Sequence, residues 1–238
     1  MFSKKKKNSI EEQIKRDRKP ELKILLLGTG ESGKSTIQQQ LQFFNFLPTP
    51  NEREYFLEIL QNNVIMYIQS LTAFMNSTEP RIPFDSEENR QRAQGVLQQE
   101  YGEFPTTPAF GAILSALWED SGVKQAYERR SEFTFYHGAE YALGNIERFF
   151  AEDFVPTDLD ILHKRVRQGG ISEIKVKWQS IEQILRIFMV AGFRSERRKW
   201  VHCFEKVSLV VYCVSLDDYD LKLREDFEVV MKFRWFVL

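Results

Sequence analysis

Gly28-Thr29-Gly30-Glu31-Ser32-Gly33-Lys34-Ser35 satisfies the G-x-x-x-x-G-K-[ST] pattern, a spacing suited to holding phosphate. Glycines let the backbone fold around phosphate oxygens, while successive N–H groups and a helix N-terminus supply positive potential. Lys34 is placed to reach the β- and γ-phosphates, and Ser35 offers a hydroxyl to Mg2+. Such a loop must be carried by a strand and followed by a helix. Leu22 to Leu27 is a short apolar run closed by glycine and predicts a buried parallel strand; Thr36 to Phe46 predicts the helix. A glycine-rich turn with an exposed lysine would not need both flanks.

The remaining chemistry-bearing residues are less organised. His137, His163 and His202 do not cluster in sequence and form no nucleophile–base arrangement. Cys203 and Cys213 lie in apolar surroundings without metal-ligand spacing, which predicts core or interface thiols in a reducing compartment. A formal net charge of -1 gives no global basic field, so charge does not suggest nucleic acid as a partner. No apolar run reaches the roughly 18–20 residues that a membrane span requires, and no apolar signal segment follows the N-terminal lysines. A soluble, cytoplasmic protein is expected. Lys4 to Lys7 are either a solvated tail or a weak attachment to an anionic membrane surface, at up to about 1 kcal/mol per lysine. Phe2 stands where a myristoylation signal requires glycine, so only weak peripheral contact is expected, at most at the cytoplasmic face of the plasma membrane.

The elements around the loop follow from periodicity. Ile10 and Ile14 suggest a short amphipathic helix that Pro20 ends. Phe56, Leu60, Val64, Tyr67, Leu71 and Met75 recur at helical spacing and predict a long helix with one apolar stripe. Further helices are predicted at Glu87 to Leu97, Ala109 to Trp118, Val123 to Arg129 and Ala139 to Phe150. Strands return after Gly170. Ile174, Val176 and Trp178 alternate with Glu173, Lys175 and Lys177, the period of a strand with one wet face; Leu185 to Val190 and Leu209 to Val214 are two apolar strands with a helix between them. The order implies an α/β sheet interrupted by an all-α insertion.

Taken together, these stretches resemble the heterotrimeric G-protein alpha subunits. Leu25 through Thr36 looks like that family's first phosphate loop. Leu117-Trp118-Glu119-Asp120-Ser121-Gly122-Val123 with Arg129 and Tyr141 is similar to its helical domain. Pro156-Thr157 through Asp160-Ile161-Leu162 leads into Arg165-Val166 as its first switch does, and Arg194 to Glu205 resembles its second switch helix. The resemblance covers about residues 22 to 226. It implies a Ras-like P-loop NTPase domain of α/β class, C-terminally incomplete, with an inserted all-helical domain. The implied parts are an N-terminal helix and basic tail at 1–21, Ras-like segments at 22–48 and 157–238, and the helical insertion at 49–156.

Carried over residue by residue, the resemblance implies nucleotide contacts at Gly28, Gly30, Glu31, Ser32, Gly33, Lys34, Ser35, Thr36, Leu162, Arg165 and Gly192. Arg165 falls on the cis arginine that offsets charge developing on the γ-phosphate, and His163 replaces a residue near the nucleotide. Mg2+ falls to Ser35 and, with altered geometry, to Gln168, which occupies a threonine's position. A βγ interface falls on Lys199, Trp200 and Cys203. The family's DVGGQ motif reads Met189-Val190-Ala191-Gly192-Phe193, with methionine at the metal-linked aspartate and phenylalanine at the water-positioning glutamine. Neither replacement does that polar work, so weakened Mg2+ capture and slow or absent hydrolysis are expected.

After Asp220 the sequence turns into Phe227 to Leu238, with no [NT]-K-x-D motif for the guanine edge. The usual receptor-facing terminal contact is likewise missing. The aromatic tail Phe233 to Leu238 either covers an unfinished sheet edge or is translated non-coding sequence; exposed, it would be an aggregation hazard. The resemblance therefore implies a GTP/GDP-binding signal transducer downstream of G-protein-coupled receptors, with impaired hydrolysis and a retained βγ-binding surface. A nucleotide-independent βγ-binding module and an unstable product without function are the alternatives.

Overall fold

Leu25, Leu26 and Leu27 are all buried, which requires protein on both faces of the strand that carries them. In the computed structural model, which describes residues 21–100, 102–133, 135–136, 138–166, 169–178, 183–216, 222–223 and 226–230, that strand is β1 (Glu21–Gly28). It lies inside a four-stranded sheet with β2 (Ile171–Trp178), β3 (Gln183–Val190) and β4 (Leu209–Cys213), in the order β2-β3-β1-β4. β1 runs parallel to both β3 and β4, and β2 pairs antiparallel with β3. Alternation divides the core in two. Leu25 and Leu27 pack with Val190, Trp200 and Cys203 on one face; Leu26 packs with Val176, Leu185, Ile187 and Met189 on the other. The wet edge of β2 is held by charge, with Arg186 on Glu173 at 2.8 Å.

The loop helix α1 (Lys34–Phe43) follows β1 and ends three residues before the predicted Phe46. Contacts group residues 1–47 and 168–214 into one compact unit, and 48–167 with 215–238 into a second. The second unit is built on α2 (Pro50–Ser77), whose start is fixed by a capping box: Thr49 Oγ1 accepts from the Glu52 N–H and Glu52 Oε2 accepts from the Thr49 N–H. Leu60, Val64, Ile68, Leu71 and Met75 form its buried stripe. Against it pack α3 (Glu87–Leu97), α4 (Pro108–Trp118) and α5 (Ser121–Glu128), opened by caps at Ser86, Thr107 and Asp120.

The single helix expected at Ala139 to Phe150 is two short ones, α6 (Ala139–Leu143) and α7 (Ile146–Phe149). Gly144 and Asn145 break it. The Asn145 side chain donates to the Tyr141 carbonyl at 2.7 Å, competing with the helical ladder. α8 (Asp158–His163) starts on a second capping box, Thr157 with Asp160. Asp160 is fully buried and accepts from Tyr141 Oη at 2.6 Å and from Arg148, which fastens the segment to α6 and α7. Between β3 and β4 the expected helix is only α9 (Arg194–Arg197) and a 3-10 turn at Trp200–Cys203. A short antiparallel ribbon, β5 (Lys222–Leu223) with β6 (Asp226–Val230), was not expected from sequence. The Ile10–Ile14 helix, Lys4 to Lys7, His137, Gln168 and Phe233 to Leu238 lie outside the described residues. No described helix is long and apolar enough to cross a membrane.

Candidate functional site

The phosphate-loop sequence forms a tight turn between β1 and α1, and the glycines explain its path. At Gly28, with φ 144, a Cβ would lie 2.3 Å from the Cys213 carbonyl oxygen and 2.6 Å from Ser32 Oγ, so only hydrogen fits. Glu31 at φ 61 and Gly33 at φ 82 are left-handed and turn the chain back onto the helix start. α1 carries neither a capping side chain nor an acidic residue in its first turn, which leaves that end electropositive.

Lys34 is buried, its ammonium folded over the loop: Nζ donates to the Gly28 carbonyl at 3.1 Å, to the Thr29 carbonyl and to Ser32 Oγ at 3.2 Å. Burial pulls its pKa down to about 8, opposed by Cys213 and aided by the Arg197 guanidinium. Ser32 Oγ in turn donates to the Thr29 carbonyl at 3.0 Å. Thr36 is exposed on α1.

Beside the loop the lining is apolar. Met189 is at the register of Leu26 on the neighbouring strand, and its thioether meets the Ser35 hydroxyl, Oγ donating to Sδ at 3.6 Å. Phe193 lays its ring against Gly30, with Cε1 3.4 Å and Cδ1 3.8 Å from where a Gly30 Cβ would stand. Gly192 touches the loop directly: a Cβ there would meet the Gly28 oxygen at 2.3 Å and the Thr29 carbonyl carbon at 2.4 Å.

The segment after Phe193 is tied to the sheet by its own bonds. Glu196 Oε2 accepts from the Gly170 N–H at 2.8 Å and from Lys199 Nζ at 2.6 Å, and these two bonds hold its carboxyl below the usual range. Arg197 Nε donates to the Gly192 carbonyl at 2.9 Å, and Trp200 Nε1 to the Ala191 carbonyl at 3.2 Å. Lys23 Nζ closes the 3-10 turn through the Cys203 and Glu205 carbonyls, both at 2.9 Å. Trp200 and Cys203 are therefore core residues, 8% and 5% exposed. Of the three residues assigned to a βγ interface, Lys199 alone keeps substantial surface. Val201 and Phe204, at 69% and 48%, are the exposed apolar side chains of this turn.

Arg165, Leu162 and His163 belong to the second unit. Leu162 is half-buried on α8, and His163 stacks on Tyr141 at 3.8 Å. The Arg165 guanidinium lies over the Tyr136 ring at 4.2 Å, and its backbone is gripped by Asn63. Sequence reasoning missed Asn63, Tyr136 and Glu196. A signal for the first was available: Gln61-Asn62-Asn63 is a buried polar run inside an apolar helix, and such groups need partners.

Mg2+ prefers six oxygen ligands in octahedral geometry. Among the described residues no three His, Cys, Asp or Glu side chains group to hold a metal. At Ser35 the hydroxyl faces a soft thioether, and Gln168, the other expected ligand, lies outside the described residues.

A family model described as "G-protein alpha subunit" matches residues 3–233 of this chain. The chain is 35% identical over 254 residues to a guanine nucleotide-binding protein subunit alpha of Cochliobolus heterostrophus, covering 98% of this chain and 70% of that protein. It is 36% identical over 248 residues to the protein of that name in Emericella nidulans, covering 96% and 69%. To a guanine nucleotide-binding protein alpha-16 subunit of Caenorhabditis briggsae it is 34% identical over 233 residues, covering 91% and 64%.

Proposed function

The chain belongs to the G-protein alpha subunit family, and on that premise we propose that it binds guanine nucleotide through Gly28 to Thr36 while hydrolysing GTP slowly or not at all. The observation that carries this reading is the Ser35–Met189 contact: the hydroxyl that should meet a metal faces a thioether instead. Phe193 adds to it, because a phenyl ring cannot orient an attacking water by hydrogen bonding as the family's glutamine does. Arg165 is the arginine to which the family resemblance assigns offsetting of charge on the phosphate, a contribution of about 10³ to 10⁵ in rate where such arginines act. Leu162 and Gly192 are the remaining nucleotide contacts in this reading, and Gln168 the remaining metal ligand.

The test is single-turnover phosphate release from GTP. The wild-type chain is expected to release phosphate no faster than a Lys34→Ala control, and a Met189→Asp, Phe193→Gln double variant to release it faster. Wild-type turnover well above the control would overturn the proposal of impaired hydrolysis.

A second reading, a βγ-binding module indifferent to nucleotide, draws support from Glu196, Arg197 and Trp200. These side chains fasten the segment after Phe193 to Gly170, Gly192 and Ala191. In this reading Lys199, Val201 and Phe204 supply the docking surface, and the chain works on the cytoplasmic side of a receptor with at most weak membrane contact. Equal capture by immobilised βγ dimer in GDP and in a non-hydrolysable GTP analogue is the expected result; strong dependence on the nucleotide would exclude it.

A further inference from the structure

The geometry points to a loop that takes a nucleoside diphosphate without a divalent cation and turns away the triphosphate, with Phe193 as the discriminating residue. The inference rests on the reading that this loop binds nucleotide and adds which nucleotide state it accepts.

The two ends of the loop differ in character. At the α1 end, Glu31 and Gly33 are left-handed and the helix start carries no capping or acidic side chain, so its backbone N–H groups are left for an anion such as a diphosphate. Lys34 is held inside the turn by three oxygens and adds its charge from below. The other end is apolar. The glutamine that Phe193 replaces orients the water attacking the third phosphate, so its ring, which stands beside Gly30, would occupy the third-phosphate end. Met189 closes the neighbouring side and engages the Ser35 hydroxyl.

A third phosphate brings further negative charge and several oxygens that must exchange water for partners. Here it would meet the Phe193 ring and the Met189 thioether, with Lys34 already engaged by three loop oxygens and Arg197 by the Gly192 carbonyl. Burying ionised oxygens without hydrogen bonds or a counter-ion is strongly unfavourable. A divalent cation ordinarily supplies that counter-charge, and at Ser35 the hydroxyl faces a thioether. A diphosphate stops before this region and needs neither group.

Isothermal titration of the full chain with GDP and with GTPγS, each in excess MgCl2 and in EDTA, tests the inference. GDP is expected to bind at least about tenfold more tightly than GTPγS, a difference of about 1.4 kcal/mol, with a GDP Kd that agrees within about twofold between the two buffers. Phe193→Gln is expected to narrow the gap by raising affinity for GTPγS, whereas Phe193→Leu, which keeps apolar bulk, preserves it. Circular dichroism melting of both variants checks that they fold. Comparable wild-type affinity for both nucleotides, GDP binding that requires Mg2+, or a gap untouched by Phe193→Gln would overturn the inference while leaving nucleotide binding intact. Binding of neither nucleotide would overturn the underlying reading and the inference with it.

Discussion

The carboxamide of Asn63 closes on both backbone polar groups of Arg165, Nδ2 donating to the carbonyl at 3.1 Å and Oδ1 accepting from the N–H at 2.7 Å. Asn63 is 4% exposed in the middle of α2, where asparagine is a poor helix former. Its place is explained by this grip, which fixes the backbone from which the guanidinium projects. Asn63→Ala removes both bonds to the Arg165 backbone and is expected to cost about 1–3 kcal/mol, at roughly 2–4 °C in Tm per kcal/mol. Asn63→Asp keeps the acceptor but turns an ionised oxygen toward the Arg165 carbonyl. It should be at least as costly at neutral pH and recover in acid, where the carboxyl can donate. Thermal unfolding followed by circular dichroism reads both. An unchanged Tm for Asn63→Ala would mean that the grip carries no stability.

Lys34 sets a pH dependence with opposite signs for folding and for anion binding. Its folded pKa lies at about 8 against an ordinary 10.5, chiefly through burial. The unfolded chain therefore binds more protons between those values, and stability rises as pH climbs from about 8 toward 10.5. Relative to Lys34→Met, whose side chain has no charge to bury, wild-type Tm should gain across that interval. Affinity for GDP should instead fall above about pH 8, by up to roughly tenfold per unit as the free protein loses the cation. A flat affinity profile would show that the ammonium does not face the phosphates.

The phosphate loop was legible because its requirements are local: an apolar run, glycines at fixed offsets, then a helix. The same holds for α3 and α4, legible from helical periodicity, although the caps at Ser86 and Thr107 that fix their starts came only with the structure. What the sequence hid depends on residues far apart in the chain. Met189 reaches Ser35 only because β3 lies beside β1 with Met189 opposite Leu26. The burial of Trp200 depends on how the turn after Phe193 sits on β1. The break at Asn145 was hidden for a different reason, since one side-chain bond decides it and periodicity runs through unchanged.

Gly192 and Gly33 should respond differently to the same added methyl. At Gly192 the Cβ would lie 2.3 Å from the Gly28 oxygen and 2.4 Å from a Thr29 carbon, both backbone, so the loop itself must move. At Gly33 nothing stands within 4 Å, and the cost is that of holding an L-residue at φ 82, about 1–2 kcal/mol. Both variants are expected to weaken GDP binding, and Gly192→Ala to lower Tm more than Gly33→Ala. The reverse order in Tm would refute the close approach of Gly192 to the loop.

Trp200 and Val201 are neighbours in sequence with opposite surroundings, which separates stability from docking. Trp200 packs with Leu25, Leu27 and Val190, stands edge-on to Tyr212 at 6.3 Å and donates to the Ala191 carbonyl. Trp200→Ala is expected to cost about 3–5 kcal/mol, so any loss of partner binding in that variant would follow from a loosened turn. Val201 is exposed, and Val201→Ala should stay within about 0.5 kcal/mol of wild type. If this turn docks a βγ dimer, Val201→Asp and Phe204→Asp should abolish capture at unchanged Tm. Both measurements belong on the same preparations: full capture by the two aspartate variants would remove this surface from the interface, whatever Trp200→Ala does.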